Sequence, residues 1–399
     1  MKFRYKGLDE SGKTVAGVVV AASEQQVSEQ VESRGIYIYE LTRERESRFF
    51  TRKVSYTDLL LFSEQISLLL GASLKIDRAL ESLDVDVFSK PFGDFILYAS
   101  RSIKEGMSLS ESCESYNLIF PEFFVASLRA SEESSGLEEV LTRLSVFLRE
   151  EIESRKSRIS AITYPLVVFI LSILAVSALL LFVVPEMVVV LTSSGRELPE
   201  LTQIILLVSD YLSNNYAFIL LGMLIVYLIV SILSKVSERF AYLLSFIIMR
   251  VPLLGGFRVS TDISLFSMTS GMLIKSGVNV FDAFEIATRS ISLHPIRHMM
   301  LSATKSITEG STIKSEISKF SFLSKTYKSM IAVGEESGAL GDMLLHAGDQ
   351  QRKQSLHLAS RLSSLIEPIS IVLVGTFVLL IILGIIVPIF DMNQLDIPM

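Results

Sequence analysis

The chain has 399 residues, 37 of them Lys or Arg and 43 Asp or Glu, for a formal net charge of −6. Half of the residues are apolar and mean hydropathy is +0.48, yet a fifth are charged, so polar and apolar segments are segregated along the chain. The balance excludes an overall basic footprint for nucleic acid, and the single cysteine, Cys113, excludes an internal disulfide.

Residues 1–48 form a small β-rich module. Phe3 and Tyr5 alternate with Lys2, Arg4 and Lys6, a period-two strand pattern. Val15 and Val18 to Val20 follow a turn at Gly12 as a second strand. Val27 and Val31 fall at helical spacing between Glu24 and Ser33, Gly35 ends that helix, and Ile36 to Leu41 reads as a strand. The opening MKFRYKGLDE lacks the apolar stretch of a signal peptide, so insertion into a membrane is left to internal helices. Gly7 to Thr14, GLDESGKT, matches a phosphate-binding loop, but that motif needs a helix after it to cradle phosphate. The β-branched run that follows favours a hairpin turn instead. Glu44 to Lys53 is a charged linker.

Beyond the linker the chain repeats itself. At an offset of 204, Asp58, Leu61, Phe62, Ser63, Leu69, Ala79 and Glu81 fall on Asp262, Leu265, Phe266, Ser267, Leu273, Ala283 and Glu285. At an offset of 203, Glu132, Pro165 and Pro185 fall on Glu335, Pro368 and Pro388. The stripe Leu59, Phe62, Ile66, Leu69, Leu70, Leu74 and its counterpart Ile263, Phe266, Leu273, Ile274 predict helical bundles over 54–158 and 257–362. Gly106 and Gly310 mark turns, with Ser108 and Thr312 as N-caps of the helices that follow.

Three runs carry no charge: 159–185, 211–234 and 369–390. Each is long enough as helix for a bilayer core of roughly 20 residues. Phe240 to Met249 is too short and reads as an interfacial or buried helix. Arg149, Arg155, Lys156 and Arg158 precede the first span, Lys235, Arg239 and Arg250 follow the second, and Arg352, Lys353 and Arg361 precede the third. The loop 186–210 has only Arg196, and the tail 391–399 has no basic residue. The positive-inside rule places the N-terminus inside and the C-terminus outside. The unpaired middle span returns the chain to the cytoplasm, so both bundles, the second within 235–362, face one compartment. Gly222, Gly375 and Gly384 read equally as close-packing positions or as tolerated membrane glycines.

No set of residues points to catalysis, a cofactor or a metal. His294 and His298 have the spacing of a helical zinc pair, but Pro295 stands between them and no third ligand is apparent nearby. Ser337 in Gly334-Glu335-Glu336-Ser337-Gly338 is one place off a nucleophile elbow. The acidic pairs Glu132-Glu133 and Glu335-Glu336 are candidate contact points for a partner, although Glu335 serves equally as a helix cap.

The motifs resemble one family, the F-type inner-membrane platform proteins of type II secretion systems together with the inner-membrane core proteins of type IV pili. Gly334-Glu335-Glu336-Ser337-Gly338-Ala339-Leu340 is similar to its Gly-Glu-x-Ser-Gly-x-Leu turn. The first copy has Ser131 and Ser135 where the family has glycine. Tyr164-Pro165 and Glu367-Pro368 resemble the leading ends of its first and third spans, Pro185 and Pro388 the far ends, and Leu198 to Thr202 its outer loop. Phe3, Tyr5, Asp9, Gly12 and Gly17 fit its opening pattern, and Ser276-Gly277 keeps an Ala-Gly turn that the first copy lacks. The resemblance implies a mainly α integral membrane protein. It would have two repeated cytoplasmic helical bundles and three transmembrane helices behind a small N-terminal α+β module. It implies a non-enzymatic role that couples a cytoplasmic hexameric ATPase to insertion of pilin-like subunits into a fibre, alongside other inner-membrane assembly components and as a homo-oligomer. A transporter or channel of parallel repeats is the rival class, and the three spans offer it no ionisable residue.

Overall fold

In the computed structural model the helices of the first repeat reappear in the second, residue for residue at most boundaries. The structure describes residues 2–8, 14–20, 37–43, 52–134, 136–185 and 200–393. It divides into two units, one of residues 1–54 with 116–119 and one of the remainder.

In the smaller unit, β1 (Lys2–Leu8) lies between β2 (Thr14–Val20) and β3 (Tyr37–Arg43), antiparallel to both. Leu8 pairs with Thr14, so the phosphate-loop look-alike runs from strand to strand and has no helix to offer a phosphate. The turn through Asp9 to Gly12 and the helix expected over Glu24 to Ser33 lie outside the described residues. A second pairing joins β4 (Arg52–Lys53) to β5 (Leu118–Ile119) in parallel.

The larger unit is helical. The first bundle holds α1 (Tyr56–Gly71), α2 (Ile76–Glu81), α3 (Lys90–Lys104), α4 (Leu109–Ser115), α5 (Glu122–Ser134) and the start of α6 (Leu137–Ala178). After α7 (Glu200–Val236) and α8 (Glu238–Arg250) comes the second bundle. It holds α9 (Leu254–Lys275), α10 (Val280–Thr288), α11 (His294–Thr308), α12 (Ile313–Ser318), α13 (Lys325–Ser337) and the start of α14 (Leu340–Asn393). The starts of α2, α3 and α4 differ from those of α10, α11 and α12 by 204, and those of α5 and α6 differ from α13 and α14 by 203. The extra residue therefore lies between the starts of α4 and α5, where α4 has seven residues and α12 has six, with connectors of equal length.

Local chemistry sets the boundaries. Ser108 accepts from the Glu111 amide while the Glu111 carboxylate accepts from the Ser108 amide, a reciprocal capping box. Thr312 accepts from the Ser315 amide. Helices α1 and α9 end in the same way: Leu74 and Val278 amides reach back to Leu69 and Leu273 carbonyls, and Ser73 and Gly277 to Leu70 and Ile274. That geometry needs a left-handed residue. Gly277 adopts it freely at φ +94°, whereas Ser73 is held there at +65° against its Cβ.

The cores differ in composition. Phe62, Phe92, Phe95, Phe120 and Phe124 form a ring cluster in the first bundle, with Phe95 and Phe120 centroids 4.6 Å apart. The second is mostly aliphatic around Ile263, Ile296, Ile331 and Leu344, with Tyr327 fully buried. The Tyr327 hydroxyl meets Ser267 Oγ at 2.6 Å. The first copy has Phe124 and Ser63 at these two positions, and the buried Ser63 Oγ finds no partner among the described residues.

Among the described residues three helices are long and apolar enough to cross a membrane, over Leu137–Val183, Gln203–Ser234 and Leu340–Leu383. They meet through Val176, Leu180, Ile205, Leu206, Ile381 and Phe377. A π turn over Leu179–Val183 interrupts the ladder of α6, and Ser209 Oγ of α7 donates to the Leu180 carbonyl there. Open space surrounds Gly222 and Gly375, so neither is a close-packing position within this chain.

The unpaired Ser63 hydroxyl leads to a prediction. Phe124→Tyr supplies its partner and stabilises the first bundle by about 1 kcal/mol, while Tyr327→Phe destabilises the second by a similar amount. Heating the detergent-solubilised chain with a dye that fluoresces on reaction with Cys113 reads the first change. A Phe124→Tyr midpoint at or below that of the parent would show that the hydroxyl does not fit.

Candidate functional site

The repeated acidic motif closes each bundle at the junction of its last two helices. In the second bundle, Glu335 near the end of α13 receives the Ile313 amide on Oε1 at 2.7 Å and the Lys314 amide on Oε2 at 2.8 Å. Those amides open α12, whose first-turn N–H groups have no partner within the helix. In the first bundle, Glu132 Oε1 receives the Leu109 and Ser110 amides at 2.7 and 3.1 Å, and Oε2 receives the Ser110 hydroxyl. Leu109 and Ser110 correspond to Ile313 and Lys314, so the same contact is made twice. Both acids are anchored to helix starts inside their bundles.

Their neighbours face outward. Glu133 is exposed, and Glu336 is exposed and pairs with Lys314 Nζ at 2.9 Å, which raises the Lys314 amine above its ordinary range. Ser337 Oγ donates to the Val333 carbonyl at 2.7 Å, so it is a helix-end hydroxyl and not a nucleophile beside a base. Gly338 ends α13 in the left-handed region at φ 73°. Gly334 serves close approach: a Cβ there would lie 2.8 Å from Met343 Cβ and 3.1 Å from the Leu340 Cα. The first copy carries Ser131 and Val140 at the positions of Gly334 and Met343, a larger and a shorter residue.

A second pair of carboxylates holds the residues just ahead of two further helices. Buried Asp58 receives the Ser89 amide at 3.1 Å and its hydroxyl at 2.7 Å, ahead of α3. Buried Asp262 receives the Ser292 and Leu293 amides at 3.0 and 2.8 Å, ahead of α11. Burial raises the Asp262 carboxyl above its ordinary range, against the lowering effect of those amides and of Arg258.

The two bundles touch. Arg289 of α10 spans Glu122 of α5 at 2.8 and 2.9 Å and Glu285 of its own helix at 2.9 Å. Arg143 of α6 donates to the Lys275 carbonyl at the end of α9, and Arg352 of α14 faces Glu150 of α6 at 3.5 Å. The groove at the Arg289 bridge also holds Glu133, Arg129 and Asp282. Among the described residues no group of three or more His, Cys, Asp or Glu is arranged to hold a metal.

The residues at the span ends sit inside continuous helices. Pro165 lies within α6 and Pro368 and Pro388 within α14, so neither helix breaks where it would enter a membrane. Pro165 has no N–H, which frees the Ala161 carbonyl one turn earlier. Ser363 Oγ of α14 donates to that carbonyl. Sequence reading had no signal for Ser363, because the defect it repairs lies on another helix. Tyr164 and Glu367 are exposed, and Pro185 closes the described part of the first span.

Comparison with known proteins agrees with this geometry. The family model for type II secretion system protein F matches residues 62–185 and again 266–388, and that for its N-terminal domain matches residues 1–42. The type II secretion system protein F of Pseudomonas aeruginosa is 31% identical over 98% of this chain and 99% of its own length. The type IV pilus assembly protein PilC of Thermus thermophilus is 28% identical over 97% of each. The type II secretion system protein F of Vibrio cholerae is 27% identical over 98% of each.

Two predictions follow from the caps. Cys113 sits buried on α4, where burial pushes its thiol above the ordinary range and keeps it unreactive. Glu132→Ala orphans two α4 amides and costs about 2 kcal/mol. Cys113 then labels several-fold faster with a maleimide, whereas Glu335→Ala leaves its rate near the parent's. Equal acceleration by both variants would mean that the bundles open as one.

A carboxyl raised on folding holds its proton more tightly in the folded chain. The stability tied to Asp262 protonation is therefore present below the unfolded value and lost as pH rises through the folded one. Asp262→Asn keeps an acceptor oxygen and removes that slope, so its melting midpoint gains on the parent's as pH rises from the ordinary carboxylate range toward neutral. Circular dichroism melts across that range decide it, and parallel curves would refute the assignment.

Proposed function

The chain belongs to the type II secretion system protein F family, and from that premise we propose that it is an inner-membrane platform for secretion or pilus biogenesis. In this reading it crosses the membrane over 159–185, 211–234 and 369–390, with N-terminus and both bundles cytoplasmic. The loop 186–210 and tail 391–399 are periplasmic, and residues 1–48 form an α+β module. It couples a hexameric cytoplasmic ATPase to insertion of pilin-like subunits into a growing fibre, together with other inner-membrane assembly components, and acts as a homo-oligomer.

The observation that carries this reading is the continuity of α6 and α14. Helix α6 has 42 residues and α14 has 54, about 63 and 81 Å at 1.5 Å per residue. Each begins as the last helix of a bundle and continues as a span. A displacement of either bundle is transmitted along a rod with no loop to absorb it. Two bundles joined by Arg289, Arg143 and Arg352 move such rods together. The exposed acids Glu133 and Glu336 are the motif residues available to a motor, since Glu132 and Glu335 are held by amides.

Co-purification of the full chain with its ATPase tests the assignment. Glu133→Lys with Glu336→Lys is expected to reduce recovery of the ATPase at least several-fold with an unchanged melting midpoint. Glu335→Ala is expected to reduce it only as far as it lowers that midpoint. Undiminished recovery in the double variant, with fibre output intact, would remove these acids from the motor contact.

A further inference from the structure

Helix α8 is built inside out. Its residues Arg239, Tyr242, Leu243, Phe246, Ile247 and Arg250 fall at the spacing of one helix face. On that face Tyr242 is 49% exposed, Leu243 54%, Phe246 39% and Ile247 51%. The buried positions are the small Ala241 and Ser245, and α8 contacts α9 and α11. A water-soluble bundle places such a helix the other way round, with large apolar side chains inward. The apolar stripe here looks away from the protein.

Its position says what covers it. The second candidate span ends at Ser234, and α8 begins at Glu238 after the Ser237 cap. Three residues of chain span no more than about 11 Å, so α8 starts at the membrane surface wherever the second span crosses. None of the apolar window of that span is buried within the protein, so the exposed stripe continues a lipid-facing surface. With 13 residues, about 20 Å long, α8 cannot cross a hydrocarbon core of about 30 Å. It does not form a crossing with α9 either. The two are bent by 114°, at a corner where Leu253 is held at φ 64°. Helix α9 then carries buried Ser260, Asp262, Ser264 and Ser267 into the second bundle. Arg239 and Arg250 flank the stripe, and the Arg250 guanidinium lies 4.4 Å from the centroid of the Phe246 ring. An apolar face with aromatic residues and basic ends is the pattern of a helix lying in the plane of a membrane interface.

We propose that α8 lies in the headgroup layer of the leaflet at which the second span ends. Tyr242, Leu243, Phe246 and Ile247 enter the acyl boundary, and Arg239 and Arg250 meet the phosphates of anionic phospholipid. The contact fixes the second bundle against the membrane through the α8–α9 corner. It requires only that α7 spans the bilayer and is independent of any motor contact.

The chain contains no tryptophan, so a single one is a clean probe. Full-length Phe246→Trp is placed in phosphatidylcholine–phosphatidylglycerol vesicles whose acyl chains carry bromine either near the headgroup or near the chain end. Emission is expected to be blue-shifted and mostly lost with shallow bromine, and less reduced with deep bromine. Leu301→Trp, on the exposed side of α11, is expected to keep its emission in both. Stronger quenching by deep bromine would identify a re-entrant segment. A blue-shifted but unquenched Trp would mean that protein, such as a second copy, covers the stripe. Either result overturns the proposal, as does water-like emission. If Phe246→Trp is not monodisperse, Ile247→Trp on the same face gives the same readings. Adding Arg239→Glu and Arg250→Glu is expected to weaken shallow quenching in the mixed vesicles but not in pure phosphatidylcholine. Equal quenching in both would overturn the anionic-lipid contact.

Discussion

A carboxylate seated on the bare amides of a helix start organises each bundle. Asp58 and Asp262 do this for α3 and α11, Glu132 and Glu335 for α4 and α12. A helix start carries unpaired N–H groups and the positive end of the helix dipole, so an anion satisfies both at once. Because each acid lies far along the chain from the helix it caps, the bond also fixes tertiary position. Short helices such as α4 and α12 are marginal alone, and the cap gives them an address as well as stability. Close approach of the flanking helices accompanies it in the second bundle, through Gly334.

These acids were visible in the sequence as letters that recur, and their role was not. Glu335 reads equally well as a cap or as a partner contact while its target is unknown, because the target is a pair of backbone amides with no side-chain signature. The helices were legible from periodicity, and the caps Ser108 and Thr312 from residue type alone. What the letters concealed was continuity. Pro165 and Pro368 resemble the leading ends of spans, yet α6 and α14 run from bundle to span through both. The defect at Pro165 is repaired by Ser363 from the other helix, and single-chain propensity carries no information about such a partner.

The change of offset from 204 to 203 has a structural address. The first copy's extra residue falls between the starts of α4 and α5, as one more residue in α4 than in α12. Other differences between the copies leave the first with uncompensated local costs. Tyr327 with Ser267 is replaced by Phe124 with Ser63, which leaves a hydroxyl bare. Gly277 is replaced by Ser73 in the same left-handed turn. The first bundle thus retains the architecture at some local cost and leans on its phenylalanine cluster.

Joining two such bundles constrains how the molecule moves. Arg289, Arg143 and Arg352 are all long side chains, partly exposed, reaching across the seam to a carboxylate or a carbonyl. Pairs of that kind contribute little net stability and are screened by salt. They hold register without welding the surfaces. The rods α6 and α14, by contrast, are tied where Ser363 meets Ala161 and again where the three spans meet. A force on either bundle is therefore carried along α6 and α14 together. That coupling suits the proposed role of carrying displacement from the bundles into the bilayer.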